Sequence, residues 1–291
     1  MTRSRVIAAV CAVAVVAVLV LVLSGGGNDT TLVSWSALAD AANATGQVPG
    51  ASASMDGTVT VEGAPEPIHI RMHGVQNTRQ RAAYLVGTYE NFPKHVPGEN
   101  PDGSIPVEGV TILPHIYMKS PLFSSALPAG KAWLDIDLAK TGKQLGIGDP
   151  TQFGASSDPS QLVQTLRAVS SRVERVGTES VRGVATTHYR ARVELRRLPA
   201  VAPPSKRAQA RRSSVRLIQL IGTDSYPIEA WVDAHHLIRR MKFKMSMKIQ
   251  GHSLTQDMTF ELFDFGPKHR IKAPPADQTF EAPAASGSAG P

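Results

Sequence analysis

The segment 228–249, IEAWVDAHHLIRRMKFKMSMKI, constrains the fold more than any other part of this 291-residue chain. Its second half alternates between apolar side chains (Met241, Phe243, Met245, Met247 and Ile249) and polar or basic ones (Arg240, Lys242, Lys244, Ser246 and Lys248). A period of two over this length predicts a β-strand with one wet face and one dry face. The dry face is mostly methionine, an unbranched thioether that repacks easily around irregular partners. It can belong to an ordinary core or line a cavity for an apolar ligand, and the strand alone leaves both interpretations open.

Alternation of the same kind recurs along most of the chain. The runs 51–61 and 68–72 flank Gly63-Ala64-Pro65, which is typical of a hairpin turn. Further alternating runs cover 79–87, 112–119, 130–137, 172–179, 184–195 and 254–262. The segment 91–109 contains four prolines and three glycines and predicts a long loop. About ten strands joined mostly by short turns predict an α+β fold built on one strongly curved antiparallel sheet, a half-barrel.

Three short helices are predicted beside this sheet. They cover 31–45, 158–168 and a basic segment in which Ser205 would cap the helix and Gly222 would end it. Because these helices offer little apolar surface to fill a concave face, the pattern favours a cavity over a solid core. The side chains expected to line this cavity are Met55, Val59, Ile70, Met72, Ile116, Met118, Leu122, Phe123, Trp133, Met241, Phe243, Met245, Met247, Met258 and Phe260.

The N-terminus predicts a membrane segment. Residues 6–23 are eighteen consecutive apolar residues preceded by Arg3 and Arg5. As a helix they would span about 27 Å, close to the hydrocarbon thickness of a bilayer, with the arginines on the cytoplasmic side. We therefore predict a signal anchor at 1–24, a tether at 25–30, an extracytoplasmic domain at 31–281 and a disordered tail at 282–291. The alternative is a cleaved signal peptide and a secreted domain.

Charge is concentrated in one segment. The chain has a formal net charge of +7, and residues 195–223 contain seven arginines and lysines but no acidic residue. A basic amphipathic helix near a bilayer predicts contact between anionic lipid headgroups and Arg207, Arg211 and Arg212. The alternative is a solvated face on a core helix. The charge is too weak alone to predict nucleic-acid binding.

Sequence signals for catalysis are weak. Asp135 and Asp137 share a strand face and His235-His236 lies at a turn, but neither pair makes a convincing metal site. The chain contains no G-x-S-x-G, H-E-x-x-H or phosphate-cradling loop. Its one cysteine, Cys11, lies in the N-terminal apolar run, so a monomer cannot form a disulfide framework. We expect no enzyme activity, no metal and no cofactor.

An ordered set of short motifs resembles a known group of envelope proteins. The motifs are IYMKSPL at 116–122, LPAGKAWLDID at 127–137, DPSQL at 158–162, VG at 176–177, RGV at 182–184, THY at 187–189, WVD at 231–233, IRR at 238–240, DFG at 264–266 and AP at 273–274. In order and spacing they resemble the actinobacterial LppX and LprG envelope lipoproteins and the LolA and LolB lipoprotein carriers over about 32–281. The resemblance implies a half-barrel with helices on its concave face and a hydrophobic pocket for acyl chains. The helix anchor departs from the lipidated or soluble members.

The sequence therefore predicts a membrane-anchored extracytoplasmic domain that binds or transfers a lipid or lipoprotein. Its expected partners are a lipid or acylated ligand, the membrane surface and an envelope protein, and not nucleic acid. Two alternatives stay open. The same fold could serve as an envelope sensor or protein-interaction module without transport, or its concave face could be fully packed and purely structural.

Overall fold

A computed structural model describes residues 33–92, 95–144, 170–202, 204–249, 252–267 and 269–282. The predicted anchor 1–24, the tether 25–30, the helix 158–168 and all but the first residue of the tail 282–291 lie outside the described residues. Within the described ranges, no helix is both long and apolar enough to cross a bilayer.

Among the described residues, twelve strands form a single sheet. They are β1 (Gly50–Val61), β2 (Ile68–Asn77), β3 (Ala82–Glu90), β4 (Ile105–Ile112), β5 (His115–Lys119), β6 (Trp133–Asp137), β7 (Ser170–Val181), β8 (Val184–Glu194), β9 (Ser225–Asp233), β10 (Ile238–Ile249), β11 (His252–Phe263) and β12 (Thr279–Glu281). Their spatial order is β12-β6-β5-β4-β3-β2-β1-β11-β10-β9-β8-β7.

The sheet consists of two meanders joined at its centre. Strands β1 to β6 form one meander, β7 to β11 form the other, and the antiparallel pairing of β1 with β11 joins them. Within the described ranges, β12 and β7 at the two ends of this order do not pair with each other, so the described sheet is open. The predicted single antiparallel sheet is thus confirmed, with twelve strands instead of about ten. The short β12 runs parallel to β6, and the backbone N–H of Ala282 continues this edge by donating to Asp135 O at 2.7 Å.

Four α-helices accompany the sheet among the described residues: α1 (Val33–Gln47), α2 (Leu138–Gln144), α3 (Leu198–Val201) and α4 (Arg207–Ile221). Helix α4 ends as predicted, because Gly222 adopts φ 77° and donates its N–H to Ile218 O. The predicted cap at Ser205 is wrong. The N-cap residue is Lys206, and no side chain caps the first turn.

Glycines on one face allow adjacent strands to approach closely. Gly57, Gly74 and Gly87 lie on β1, β2 and β3, and a Cβ atom added at any of them would collide with the backbone of the neighbouring strand. A residue without a side chain is therefore required at all three positions. Glycines of this kind let a sheet bend strongly, and they lie on the face that carries Met72 and Met258.

The loop predicted at 91–109 is too long. Strand β4 begins at Ile105 and includes Pro106, which lies opposite Thr88 of β3. Strand β5 pairs with β4 only from Glu108 onward. Pro106 therefore has a strand neighbour on one side only, which is where a residue without an N–H donor is tolerated in a sheet.

The inner face of the sheet carries the main hydrophobic core, whose members include the predicted cavity residues on β1, β2, β5, β10 and β11. A second, smaller cluster forms on the outer face around Ala82, Val110, Trp133 and Ile271. Trp133 was predicted to line the inner face, and this prediction is wrong. Leu134 and Ile136 take the inner positions of β6, so the neighbouring Trp133 must point outward, where Lys119 Nζ lies 5.6 Å from the centre of its ring.

Candidate functional site

All seven methionines after Met1 belong to the same buried cluster on the inner face. The chain contains eight methionines in total. Those on the inner face are Met55, Met72, Met118, Met241, Met245, Met247 and Met258, each at most 8% exposed. Five strands (β1, β2, β5, β10 and β11) contribute these methionines, so a single amphipathic strand does not explain why they gather on one face. Methionine fills irregular space and changes rotamer easily, which makes this face unusually adaptable for a protein interior.

The strand register brings most of these methionines into one band. Met55 lies opposite Met72 on β2 and opposite Phe260 on β11. Phe260 in turn lies opposite Met241 on β10, and Phe243 lies opposite Met258. The Phe243 and Phe260 rings stack with centroids 5.9 Å apart. The band therefore runs across β2, β1, β11 and β10 and confirms the alternation predicted for β10 over 241–247.

The other predicted lining residues extend this band toward β5. They are Val59, Ile70, Ile116, Leu122 and Phe123, and all belong to the same buried cluster. Leu122 and Phe123 lie on a single 3₁₀ turn, Pro121–Phe123, whose preceding Ser120 accepts a hydrogen bond from the N–H of Leu122. Of the fifteen side chains predicted to line the cavity, the structure thus places all except Trp133 against one continuous apolar face.

Gln256 is a buried polar residue within this apolar face. It is 1% exposed, and within the described ranges neither its Nε2 nor its Oε1 has a hydrogen-bond partner. On β11 it lies between Val59 of β1 and Met245 of β10. An amide buried without partners costs about 1–3 kcal/mol, so it is rare in a core selected only for stability. The sequence pattern did not reveal it, although a glutamine at an inward position of an alternating strand is a readable signal.

Helix α1 covers the methionine band from one side. Ala41 and Ala42 are buried against it. Thr45 fixes the end of the helix, because its hydroxyl donates to Ala41 O at 2.7 Å and accepts from the N–H of Ile238 at 2.8 Å. Ile238 is the first residue of β10, so this hydrogen bond joins the helix to the strand that carries three of the seven methionines.

Helix α4 covers the band near β10, and a groove lies between α4 and α3. Leu217 and Ile218 pack against the inner-face cluster, and Ser214 Oγ donates to Leu195 O at 2.7 Å. The groove has a volume of about 830 Å³ and is lined by Arg196, Pro199, Ala200, Arg207, Arg211, Ser214, Val215, Ile218 and Gln219. This volume falls within the range of small-molecule sites.

Two of the three arginines predicted to contact headgroups line this groove. They are Arg207 and Arg211, whereas Arg212 is exposed but does not line it. Arg196, which was not among the predicted contacts, adds a third guanidinium from the segment before α3. Its Nε donates to Asp224 at 2.9 Å. No carboxylate within the described ranges forms an ion pair with Arg207 or Arg211.

The outer face differs in kind, since charged side chains pair across its strands. Glu261 of β11 accepts hydrogen bonds from Arg240 of β10 and from Arg182 of the β7–β8 turn, both at 2.6 Å. Burial alone would raise the pKa of the Glu261 carboxyl, but the hydrogen bonds and charges of the two arginines outweigh it and hold the pKa below its usual value.

His188 forms the second centre of the outer face. Its Nδ1 lies 2.9 Å from Glu179 Oε1 and its Nε2 lies 2.6 Å from Glu229 Oε2. Carboxylates only accept, so both bonds form together only when the ring carries both protons. The ring also stacks on Trp231, whose Nε1 donates to Glu179 at 2.8 Å. Hydrogen bonds from Trp231 and His188 lower the pKa of Glu179.

The acidic and histidine pairs considered for catalysis have structural contacts. Asp135 lies 2.9 Å from His115 Nδ1, and Asp137 accepts from the N–H of Lys140 at the start of α2. Among the described residues, no three His, Cys, Asp or Glu side chains cluster closely enough to hold a metal ion.

Burial raises the pKa of Tyr226 in the inner core to about 12, so its hydroxyl stays neutral.

Comparison with known proteins gives distant matches. No protein-family model matches the chain. An uncharacterised 31.2 kDa protein of Streptomyces griseus, from the rplA-rplJ intergenic region, is 29% identical over 160 residues, which are 54% of this chain and 50% of that protein. The chain thus spans about half the length of this curated relative.

The similar solved structures include lipoproteins of the kind that the sequence motifs resemble. The Mycobacterium tuberculosis lipoprotein LppX matches with a TM-score of 0.43 and 12% identity, over 82% of this chain and 98% of that one. LprF of Mycobacterium bovis matches with a TM-score of 0.41 and 16% identity, over 85% and 99%. A putative outer membrane lipoprotein-sorting domain of Vibrio parahaemolyticus matches with 0.23 and 10%, over 73% and 85%. All three TM-scores are below 0.5, so function must be inferred from the chain's own geometry.

Proposed function

We propose that this chain is an extracytoplasmic, membrane-associated protein that binds a lipid or an acylated molecule against its methionine-rich inner face and can transfer it. The observation that carries the proposal is the placement of all seven methionines after Met1 on that face. A core selected only for stability favours side chains with few rotamers, whereas a face that must accept and release a flexible chain favours thioethers.

The unpartnered amide of Gln256 supports the same function. Acyl lipids contain ester or amide linkages. The carbonyl oxygen of either linkage can accept from the Gln256 Nε2 group, and the N–H of an amide linkage can also donate to Gln256 Oε1. In the unliganded protein this amide costs stability, and a ligand that supplies a partner removes that cost. Gln256 therefore fits a site that is completed by its ligand.

Binding would proceed by partition. An acyl chain that leaves water for an apolar face gains about 0.8 kcal/mol per buried methylene. The methionine band would have to repack to admit the chain, and helices α1 and α4, which cover it, would shift as the ligand enters. Such an exchange requires no catalytic residue, cofactor or metal. The predicted anchor at 1–24 would keep the site next to the membrane that supplies the lipid.

Photo-methionine labelling tests the proposal directly. The full chain is expressed with photo-methionine in bacterial cells, irradiated in intact membranes, extracted in mild detergent and analysed by mass spectrometry of its peptides. We expect acyl adducts on peptides that contain Met241, Met245, Met247 and Met258. Adducts confined to Met1, or crosslinks to another protein in place of lipid, would contradict the proposal, and protein crosslinks would favour the sensor or interaction module.

A matched control separates site binding from general exposure to lipid. Val86 lies on the outer face of β3, opposite His73 and Glu108. The Val86→Met variant places one photoreactive side chain on the outer face of the sheet, in addition to the seven on the inner face. We expect it to remain without acyl adducts, because its cross-strand neighbours at this position, His73 and Glu108, are polar.

A further inference from the structure

We propose that the groove between α3 and α4 is a headgroup site for a single anionic lipid, whose acyl chain continues beneath α4 onto the methionine band. This proposal rests on the proposed function for the fate of the chain, but it adds a second site and a ligand class. The ligand is an amphiphile with a phosphate or similar anionic group.

The positions on α4 show that the groove has a polar half and an apolar half. Arg207, Arg211, Val215 and Ile218 follow one another at spacings of three and four, so they form a single stripe along the helix. The stripe begins with two arginines and ends with two aliphatic side chains. This order matches a ligand with a charged head and a hydrocarbon chain.

The charges of the groove favour an anion. Guanidinium groups bind phosphate oxygens through paired N–H donors, and the groove collects three of them from two segments of the chain. Among the described residues, the hydrogen bond given to Arg207 Nε is a long one of 3.4 Å to Ala202 O. Residues 195–223 contain no acidic residue. Asp224 accepts a hydrogen bond from Arg196 Nε, so Arg207 and Arg211 are the two groove guanidiniums that form no ion pair with a described carboxylate. The site is concave, so it suits one molecule better than the flat surface of a bilayer.

The apolar end of the groove reaches the main core. Val215 is 52% exposed, which is rare for a large aliphatic side chain here, since the only other such residue among those described is Val176. Ile218 lines the groove and also packs against the inner-face cluster. Helix α4 packs over β10, the strand that carries three of the methionines. A chain that passes Val215 and Ile218 therefore arrives at the methionine band.

Native mass spectrometry of the full chain tests this site. The protein is held in a neutral maltoside detergent and titrated with phosphatidylglycerol or phosphatidylcholine, and bound lipid is counted. We expect one phosphatidylglycerol to bind about tenfold more tightly than phosphatidylcholine. The Arg207→Gln/Arg211→Gln variant should abolish this preference without changing the unfolding temperature, since both side chains are exposed.

The same helix supplies a control with equal charge. The Arg212→Gln/Arg216→Gln variant removes two positive charges from α4 but none from the lining of the groove. We expect it to keep the preference for phosphatidylglycerol. Equal losses in the two double variants would overturn the site, because they would show general attraction of an anionic surface. Full competition by inorganic phosphate would also overturn it, since the ligand would then be the free ion.

Failure of this site is distinguishable from failure of the proposed function. If phosphatidylglycerol and phosphatidylcholine bind equally while acyl adducts still form on the β10 methionines, the groove proposal is wrong and the methionine site stands. If the headgroup preference depends on Arg207 and Arg211 but no adduct forms on β10, the groove is a lipid site and the path onto the methionine band is wrong.

Discussion

The two faces of the sheet are stabilised by different kinds of interaction. On the outer face, Glu261 joins strands β10 and β11 with the β7–β8 turn through directional ion pairs, and His188 joins β7, β8 and β9 in the same way. On the inner face, cohesion comes from non-directional contacts among methionines and aromatic rings, and the polar Gln256 is left without partners. The comparison indicates that the outer face holds neighbouring strands through specific polar partners. The inner face is then free to adapt its shape.

The largest test of this comparison introduces a charge at the centre of the inner face. Met245 is 4% exposed and lies opposite Gln256. In a fully packed core, Met245→Glu would bury an unpaired carboxylate and cost on the order of 3–5 kcal/mol. If the face opens to admit lipid, water reaches the carboxylate, and we expect the domain to stay folded with a lowered unfolding temperature while acyl adducts disappear.

Circular dichroism measures whether the variant stays folded, and photo-methionine labelling measures whether acyl adducts still form. Met245→Leu serves as the control, because a swap of similar volume should cost less than about 1.5 kcal/mol. Complete unfolding of Met245→Glu at 25 °C, with Met245→Leu folded, would favour the purely structural domain over a ligand site.

On the outer face, the loss of His188 should have the next largest effect. His188→Ala leaves Glu179 and Glu229 without their shared partner and removes the ring stacked on Trp231. We expect a destabilisation of about 2 kcal/mol in urea unfolding, with lipid labelling of the inner face unchanged.

His73 provides the comparison for this variant. It is an exposed outer-face residue of β2, and His73→Ala should change stability by less than about 0.5 kcal/mol. If the two histidine variants unfold at the same urea concentration, the hydrogen bonds of His188 with Glu179 and Glu229 do not stabilise the sheet as we infer.

A smaller effect of opposite sign is expected at Gln256. Gln256→Met replaces the unpartnered amide by a side chain of similar length that suits its neighbours Met245 and Val59. The variant should be more stable than the natural chain by about 1–2 kcal/mol in urea unfolding. It should also bind lipid more weakly in native mass spectrometry, because the polar contact with the ligand is lost. A stabilised variant with unchanged lipid binding would show that the amide has no part in the site.

The smallest expected effect concerns pH. The pKa of Glu261 is lowered in the folded protein, so its ion pairs contribute stability above the unfolded pKa of about 4.5 and lose it as pH falls through the lowered folded value. Between pH 7 and pH 3, the Glu261→Gln variant should lose about 1 kcal/mol less stability than the natural chain. This value is modest because water partly screens the ion pairs of Glu261 with Arg240 and Arg182. Urea unfolding at both pH values measures it, and identical pH dependence in the two proteins would rule out this contribution.

Local pattern predicted most of the strands and most of the inner-face residues. Alternation at Met241, Phe243, Met245 and Met247 depends only on the geometry of an extended chain, so it could be read without knowing any partner strand. The prediction failed at Trp133 because it followed the apolar character of the ring and not the alternation of the strand, which places Trp133 on the face of Asp135 and Asp137. It also missed β12, which has three residues and pairs with β6 far away in the chain.

The groove could be predicted only in part. Arg207 and Arg211 belong to one helix stripe, so their shared orientation follows from the helical period. Arg196 precedes α3, and only the packing of α3 against α4 brings it beside them. In the same way, the sequence contains Gln256 but does not reveal that its two neighbouring strands present Met245 and Val59 to it.

The sequence by itself thus determined which face of each strand is apolar, that methionine would dominate that face, and that one segment would be basic. Only the tertiary structure decided the strand order, the joining of the two meanders through β1 and β11, the isolation of the Gln256 amide and the convergence of three arginines on one groove. The physical reason is range. Backbone periodicity is set by neighbours along the chain, whereas pairing, burial and hydrogen-bond satisfaction depend on residues that are distant in sequence and meet only in the folded protein.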